Sequence, residues 1–135
     1  MNIPMSLRTE AGELEYAKAR ANNQLIPLAD EPAIIQYKHW RLITNRFPYT
    51  TIFKLHDMLI PCRVVATRAQ LNAEELVELH SILQELENQY SLVFENFSAQ
   101  RSIKGHYHLH LARYWSSRSE MIMVSSQDLK QKEVA

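Results

Sequence analysis

Three histidines occupy alternate positions in the segment KGHYHLHLARYW, residues 104–115. Successive side chains of a β-strand point to opposite faces, so His106, His108 and His110 are expected to share one face while their apolar neighbours take the other. A neutral imidazole can attack phosphorus, and neighbouring imidazoles can donate hydrogen bonds to phosphate oxygens. The row therefore suits a site that follows an extended phosphate chain.

Two other interpretations compete with this one. A metal site can use two of the three histidines, completed by His56 or Glu95, but the first and third Cα atoms of such a strand are about 13 Å apart, too far to share one tetrahedral zinc ion. A solvated surface position is the usual explanation for an isolated histidine. Three histidines at alternate positions, beside apolar residues, make that explanation less favoured here. We therefore expect no metal and no cofactor.

Size, charge and cysteine content narrow the class of protein. The 135 residues are expected to form one domain, residues 1–135, with a core over about 30–124 and a polar tail over about 125–135. The 15 basic residues balance the 15 acidic ones, so no long-range field favours nucleic acid or an anionic membrane as a partner. The single cysteine, Cys62, and the absence of a long apolar run predict a cytoplasmic protein.

Two segments have the composition and spacing of helices. Residues 9–21 are rich in helix formers, with apolar side chains at Ala11, Leu14 and Ala21. Residues 73–89 follow a capping Asn72, with Glu75 three positions later. In this second helix one apolar stripe is expected, formed by Leu76, Leu79, Ile82, Leu83, Leu86 and Tyr90.

The remaining apolar segments predict strands. Residues 33–44 are extended chain, either a strand or a hairpin, and the next strand is expected to end near Pro61, which has no N–H to donate. Residues 91–97, 105–115 and 120–124 are three further candidates. Helices segregated from several strands indicate an α+β domain.

Four segments together resemble the histidine triad family of nucleotide hydrolases and transferases. HYHLHLA matches the family's signature of three histidines, each followed by apolar residues. TNRFPY, HDMLIP and VFENFSAQRS are similar, in the same order, to the family's other site segments. The resemblance covers about residues 34–114 and implies an antiparallel sheet of about five strands with one long helix and a short N-terminal helix.

The resemblance also implies a role for each matching residue. His108 would be the nucleophile, with His106 and His110 orienting it and contacting phosphate. Apolar residues such as Ile34, Ile35 and Leu42 would line the base pocket. The nucleotide-binding residues would be Asn45 on the ribose side, His56, Asn96 on the phosphate side, and Gln100 or Ser102, of which one meets the phosphate.

The function implied by the resemblance is cleavage at the α-phosphate of a nucleoside phosphoramidate or dinucleoside polyphosphate. The reaction would pass through a nucleotidyl-histidine that water or another acceptor resolves, which makes the protein a phosphorus-bond hydrolase or transferase. The alternative is a nucleotide-binding regulatory module with little catalysis. Family members commonly form homodimers, and Val77, His80 and Gln84 on the long helix are candidates for that interface.

Overall fold

The structure, a computed structural model, describes residues 8–97, 100–101 and 103–116. Five strands form one antiparallel sheet in the order β1-β2-β3-β5-β4, which confirms the predicted α+β class. The predicted strand at 120–124 and the polar tail lie outside the described residues. The elements are α1 (Glu10–Ala21), β1 (Ala33–Gln36), β2 (Trp40–Thr44), β3 (Phe53–Pro61), α2 (Ala73–Leu86), β4 (Leu92–Phe94) and β5 (Leu109–Tyr114).

The segment 33–44 forms a hairpin, one of the two arrangements its sequence allowed. Gln36 on β1 pairs with Arg41 on β2, and the backbone turns between them. β3 ends at Pro61, as predicted, because proline cannot donate the next ladder hydrogen bond.

Helix α2 covers one face of the sheet and begins where the sequence predicts. The Asn72 side chain accepts from the Glu75 N–H at 2.9 Å, and the Glu75 carboxylate accepts from the Asn72 N–H at 2.8 Å. The helix ends at Leu86, three residues before the predicted end. Leu76 was expected in the apolar stripe but is 45% exposed. The core under α2 contains Trp40, Leu42, Leu59, Ile82, Leu86, Leu109 and Leu111.

Helix α1 lies on the other side of the sheet, and its buried residues differ from the predicted ones. Thr9 caps it by accepting from the Gly12 N–H at 3.1 Å. The buried residues are Ala11 and Tyr16, whereas Leu14 is 47% exposed. The Tyr16 ring meets Phe47 edge-on, 5.1 Å between centroids, so an aromatic contact rather than an aliphatic stripe orients the helix.

The sheet face on the α1 side carries a second, smaller apolar cluster. It consists of Leu28, Ile43, Met58 and Ile60, with Ile103 packed against it. Neither helix in the described part of the chain combines the length and apolar character that a membrane crossing needs. The space between α1 and this cluster is the setting of the site described next.

Candidate active site

The three histidines of the triad are buried, and two of them share the sheet face on the α1 side. β5 begins at Leu109, so His106 and His108 precede the strand, which starts later than the sequence predicted. The His108 and His110 rings lie close together, 5.1 Å between centroids at an angle of 72°. Tyr107 and Leu109 project to the opposite face, into the core under α2, as the period of two predicted.

His108 is held in one tautomer. Its Nδ1 lies 2.9 Å from the backbone oxygen of His106, and a carbonyl oxygen only accepts hydrogen bonds, so Nδ1 carries the proton. In the neutral ring the lone pair is therefore on Nε2. Burial lowers the pKa of His108, and the nearby charge of Arg101 lowers it further. The ring is thus neutral at physiological pH and presents an unprotonated Nε2.

His106 fixes the backbone that carries this acceptor. Its Nε2–H donates to the backbone oxygen of Pro61 at 2.9 Å, and the next residue, Tyr107, donates its N–H to the oxygen of Val65 at 2.6 Å. These two bonds tie the irregular segment before β5 to the end of β3 and the chain that follows. The His106 ring is therefore directed at the backbone, and its carbonyl is the group that orients His108.

His110 is oriented by His56, a contact between residues 54 positions apart. The Tyr49 N–H donates to Nδ1 of His56 at 3.0 Å, so the proton of a neutral His56 lies on Nε2. That nitrogen is 2.7 Å from Nδ1 of His110, which must accept. The proton of His110 is then on Nε2, a buried atom that has no hydrogen-bond partner among the described residues.

The surroundings of this pair keep both rings uncharged. Burial is the main cause that lowers the pKa of His56 to about 4 and that of His110 to about 2. His110 contacts two aromatic rings, with centroid distances of 5.4 Å to Tyr49 and 4.7 Å to Phe94. His110 therefore offers an N–H donor of fixed direction and no charge.

His108 and His110 line a cavity of about 290 Å³ between α1 and the sheet. Its size is near the lower end of the range for small-molecule sites. The lining is mixed, with aliphatic and aromatic side chains, two asparagines, one carboxylate and three arginines. The residues beside the two histidines are Arg8, Tyr16, Arg20, Leu25, Ile26, Pro27, Leu28, Glu31, Thr44, Asn45, Arg46, Phe47, Tyr49, Met58, Asn96 and Ile103.

Three solved structures show what this architecture is similar to. A HIT family hydrolase from Clostridium thermocellum superimposes with a TM-score of 0.51 at 16% identity, covering 76% of this chain and 90% of that one. A hypothetical histidine triad nucleotide-binding protein from Sulfolobus tokodaii gives 0.51 at 16%, covering 73% and 68%. A hypothetical protein from Leishmania major gives 0.52 at 12%, covering 89% and 95%. The fold is that of histidine triad proteins.

No protein-family model matches the sequence, and no curated protein matches it either. The histidine triad fold is thus established by structural comparison alone, at sequence identities where the comparisons of sequence find no match. What the neighbours' names say of hydrolysis and nucleotide binding applies to those proteins.

Some of the predicted nucleotide-binding residues line the cavity of this histidine triad fold, and others do not. Asn45 and Asn96 line it, whereas His56 lies behind His110. Asn45 is engaged with the protein, accepting from the Phe47 N–H at 2.9 Å, and the Asn96 amide donates to the Tyr49 hydroxyl at 3.1 Å. Gln100 is exposed and does not line the cavity. Ser102 lies outside the described residues.

None of the three predicted base-pocket residues lines the cavity, and two of them lie on the α2 side of the sheet. Leu42 is buried in the core under α2, Ile35 packs against that core, and Ile34 is 52% exposed. The apolar part of the cavity instead comes from residues 25–28 and from Met58 and Ile103. The error has a simple cause: the hairpin places alternate residues on opposite faces, and the sequence did not show which face α2 covers.

Arg8, Tyr16, Arg20 and Tyr49 are cavity residues that the sequence reasoning missed. Arg8, Tyr16 and Arg20 precede the part of the chain that resembles the histidine triad family, which starts near residue 34. One signal was available, since Tyr16 and Arg20 are four positions apart and must share a face of α1. No group of three or more metal-ligating side chains comes together in the described ranges.

Proposed function

We propose that the protein is a nucleotide hydrolase or nucleotidyl transferase in which His108 attacks the α-phosphorus. The observation that carries the proposal is the tautomer of His108, because the bond from Nδ1–H to the His106 oxygen leaves a lone pair on Nε2. A histidine nucleophile must be neutral when it attacks, and burial lowers the pKa of this one.

We infer that the Nε2 atoms of His108 and His110, the two histidines that line the cavity, face the bound phosphate. Nε2 of His108 forms a bond to the α-phosphorus while the bond from phosphorus to the leaving group breaks, and the leaving group takes the electron pair and then a proton. Water then attacks the nucleotidyl-histidine, and the bond to His108 breaks to restore the ring. The Nε2–H of His110 is a prepositioned donor for the charge that develops on the phosphoryl group or leaving group.

The cavity supports a nucleotide as the ligand. Its apolar part, formed by residues 25–28 with Met58 and Ile103, offers a surface for a base, and its arginines offer partners for phosphates. We propose that Asn45 contacts the ribose and that Asn96, with Gln100 or Ser102, contacts phosphate on ligand binding. In this proposal His56 and His106 position the other two histidines.

Replacing His108 tests the mechanism. His108→Ala should lower kcat/KM by about a thousandfold or more for a nucleoside phosphoramidate and a dinucleoside polyphosphate, since a nucleophile is lost. Lys18→Ala is the control, because Lys18 is exposed on α1 and does not line the cavity. Full activity of His108→Ala would refute the mechanism. Tight binding of a nucleoside monophosphate without turnover of any substrate would identify a nucleotide-binding regulatory module instead.

We also propose that the protein acts in the cytoplasm as a homodimer. The single cysteine, Cys62, is exposed and free, a state that a reducing compartment maintains. Val77, His80 and Gln84 are exposed on α2, and Val77 is 69% exposed, which supports burial of that flank against a second copy. Light scattering on the purified protein should give a mass near twice 15.8 kDa. A monomer mass would refute the dimer.

A further inference from the structure

The charge that lines the cavity differs from the charge of the chain. The chain as a whole is neutral by formal count, yet the charged residues of the lining are Arg8, Arg20, Arg46 and a single carboxylate, Glu31. Glu31 accepts an ion pair from Nε of Arg46 at 2.7 Å. Arg8 is likewise ion-paired with Glu13, which does not belong to the lining. Among the lining residues themselves the charge is therefore positive in excess, and the excess comes from Arg8 and Arg20 of the N-terminal arm, defined here as residues 8–21.

Arg8 is the buried cation of this arm. Its side chain is 9% exposed, its Nε–H donates to the Phe47 oxygen at 2.9 Å, and its Nη1 donates to Glu13 at 3.1 Å. The guanidinium carbon lies 4.5 Å from the Tyr16 ring centroid and 5.0 Å from that of Tyr49. These contacts hold the guanidinium in one place without a search through rotamers.

Arg8 is also close to the reactive end of the cavity. The Tyr49 ring that it contacts is stacked with His110 at 5.4 Å, so one aromatic ring separates the guanidinium from the triad. The charge of Arg8 contributes to the lowered pKa of His56 directly after burial, and to that of His110 after burial and the two neighbouring histidines. A phosphate chain that leaves the α-phosphorus toward α1 would meet the same field.

Arg20 extends the positive surface outward along α1. It lies one turn after Tyr16, with its guanidinium carbon 5.9 Å from that ring centroid, and it is exposed while lining the cavity. Tyr16 thus has a buried cation near it on one side and a solvent-facing cation further along the helix.

We propose that Arg8 and Arg20 form an anion-binding pair that selects substrates whose leaving group is a negatively charged phosphate chain over substrates whose leaving group is an amine. The inference rests on the proposed function and assigns its substrate class. When the bond from the α-phosphorus to the bridging oxygen breaks, the electron pair passes to that oxygen, and the leaving chain gains negative charge. Guanidinium groups stabilise that charge through hydrogen bonds of fixed geometry, whereas they repel an amine that becomes protonated.

The test compares two substrates of the same nucleoside, a dinucleoside triphosphate and a 5′-phosphoramidate. Arg20→Gln should lower kcat/KM for the dinucleoside triphosphate by about threefold, as expected for an exposed charge, and leave the phosphoramidate value unchanged within error. Arg8→Gln should lower the first value by about tenfold or more, because the lost partner is buried. Lys18→Gln removes one positive charge from α1 outside the cavity and should change neither value.

Arg8 also ties the arm to Phe47, so thermal unfolding of Arg8→Gln is measured to establish that this variant is folded. If Arg8→Gln is unfolded, the test of the inference is the result for Arg20→Gln. An equal fall for both substrates in Arg20→Gln, or a wild-type preference for the phosphoramidate, would overturn the inference while leaving the role of His108 intact.

If the wild type turns over neither substrate, the proposed function fails, and binding still tests the arm. Calorimetry with a nucleoside triphosphate and the matching monophosphate should give tighter binding of the triphosphate, and Arg20→Gln should reduce this preference by about threefold. Equal affinities for the two nucleotides in the wild type, or a preference that Arg20→Gln leaves intact, would overturn the inference on its own.

Discussion

The buried pair of His56 and His110 predicts that the fold loses stability in mild acid. Burial is the first cause that lowers their pKa values to about 4 and about 2, whereas an unfolded chain has histidines near 6.5. Between these values the unfolded chain binds protons that the folded protein does not. The stability is therefore fully present above pH 6.5 and is lost as the pH falls toward the folded-state values.

The size of the effect follows from the pKa values. Lowering the pH from 7.5 to 5.0 stabilises the unfolded state by about 2 kcal/mol for each histidine, or about 4 kcal/mol for the pair. A domain of this kind has a total stability of about 5–15 kcal/mol, so the loss is a large fraction of it. His108, whose pKa is also lowered, adds to the loss. Asp57 acts in the opposite direction, since burial raises its pKa.

Urea unfolding at pH 7.5 and 5.0 measures this loss. His56→Gln removes one of the two buried titrating rings, and we expect the difference between the two pH values to shrink by about 2 kcal/mol. Lys18→Gln, a change at an exposed position of α1 that removes no histidine, should behave as the wild type does. Only differences between pH values are compared, so an overall destabilisation by His56→Gln does not interfere. A wild-type stability that is the same at both pH values, or a His56→Gln variant with an undiminished loss, would refute the reasoning.

Three further predictions follow from single contacts. The acid limb of kcat/KM should have an apparent pKa below 6.5, because burial disfavours protonated His108; a limb above that value contradicts the assignment. Asn72→Ala should destabilise the fold by about 1 kcal/mol in urea unfolding, because the cap on α2 is lost. An Asn72→Ala variant as stable as the wild type would contradict this role of the cap. Leu86→Ala should cost about 2–5 kcal/mol, since Leu86 is 2% exposed, whereas Leu76→Ala should cost far less; equal costs would contradict the placement of α2.

Local signals in the sequence were sufficient for the parts of the fold that local chemistry determines. The capping box at Asn72 and Glu75 placed the start of α2 at the correct residue, and Pro61 placed the end of β3. The capping box depends on hydrogen bonds between near neighbours in the chain, and the strand end depends on the missing N–H of one residue. The end of α2 was predicted three residues late, because no glycine or proline follows Leu86 to stop the periodic pattern.

Contacts between distant segments could not be predicted in the same way. Spacing showed that His108 and His110 share a face, but the hydrogen bond from His56 to His110 depends on the register between β3 and β5. The cavity side of α1 was missed because Tyr16 packs through a single aromatic contact with Phe47. A periodicity argument looks for an aliphatic stripe, whereas this helix buries Ala11 and Tyr16 and lines the cavity with Tyr16 and Arg20.

The structure gives three chemically identical side chains three different tasks, and the backbone is what separates them. His106 and His108 precede β5, where the chain is free of ladder hydrogen bonds, so the His106 carbonyl is available to accept from His108 two residues later. His110 lies within the strand, where the ladder occupies the backbone, and its orienting partner is accordingly a side chain from β3. The proposed nucleophile and the proposed donor thus come from opposite sides of a strand boundary: if β5 began two residues earlier, His108 would lose its acceptor and the tautomer that leaves the lone pair on Nε2 would no longer be fixed.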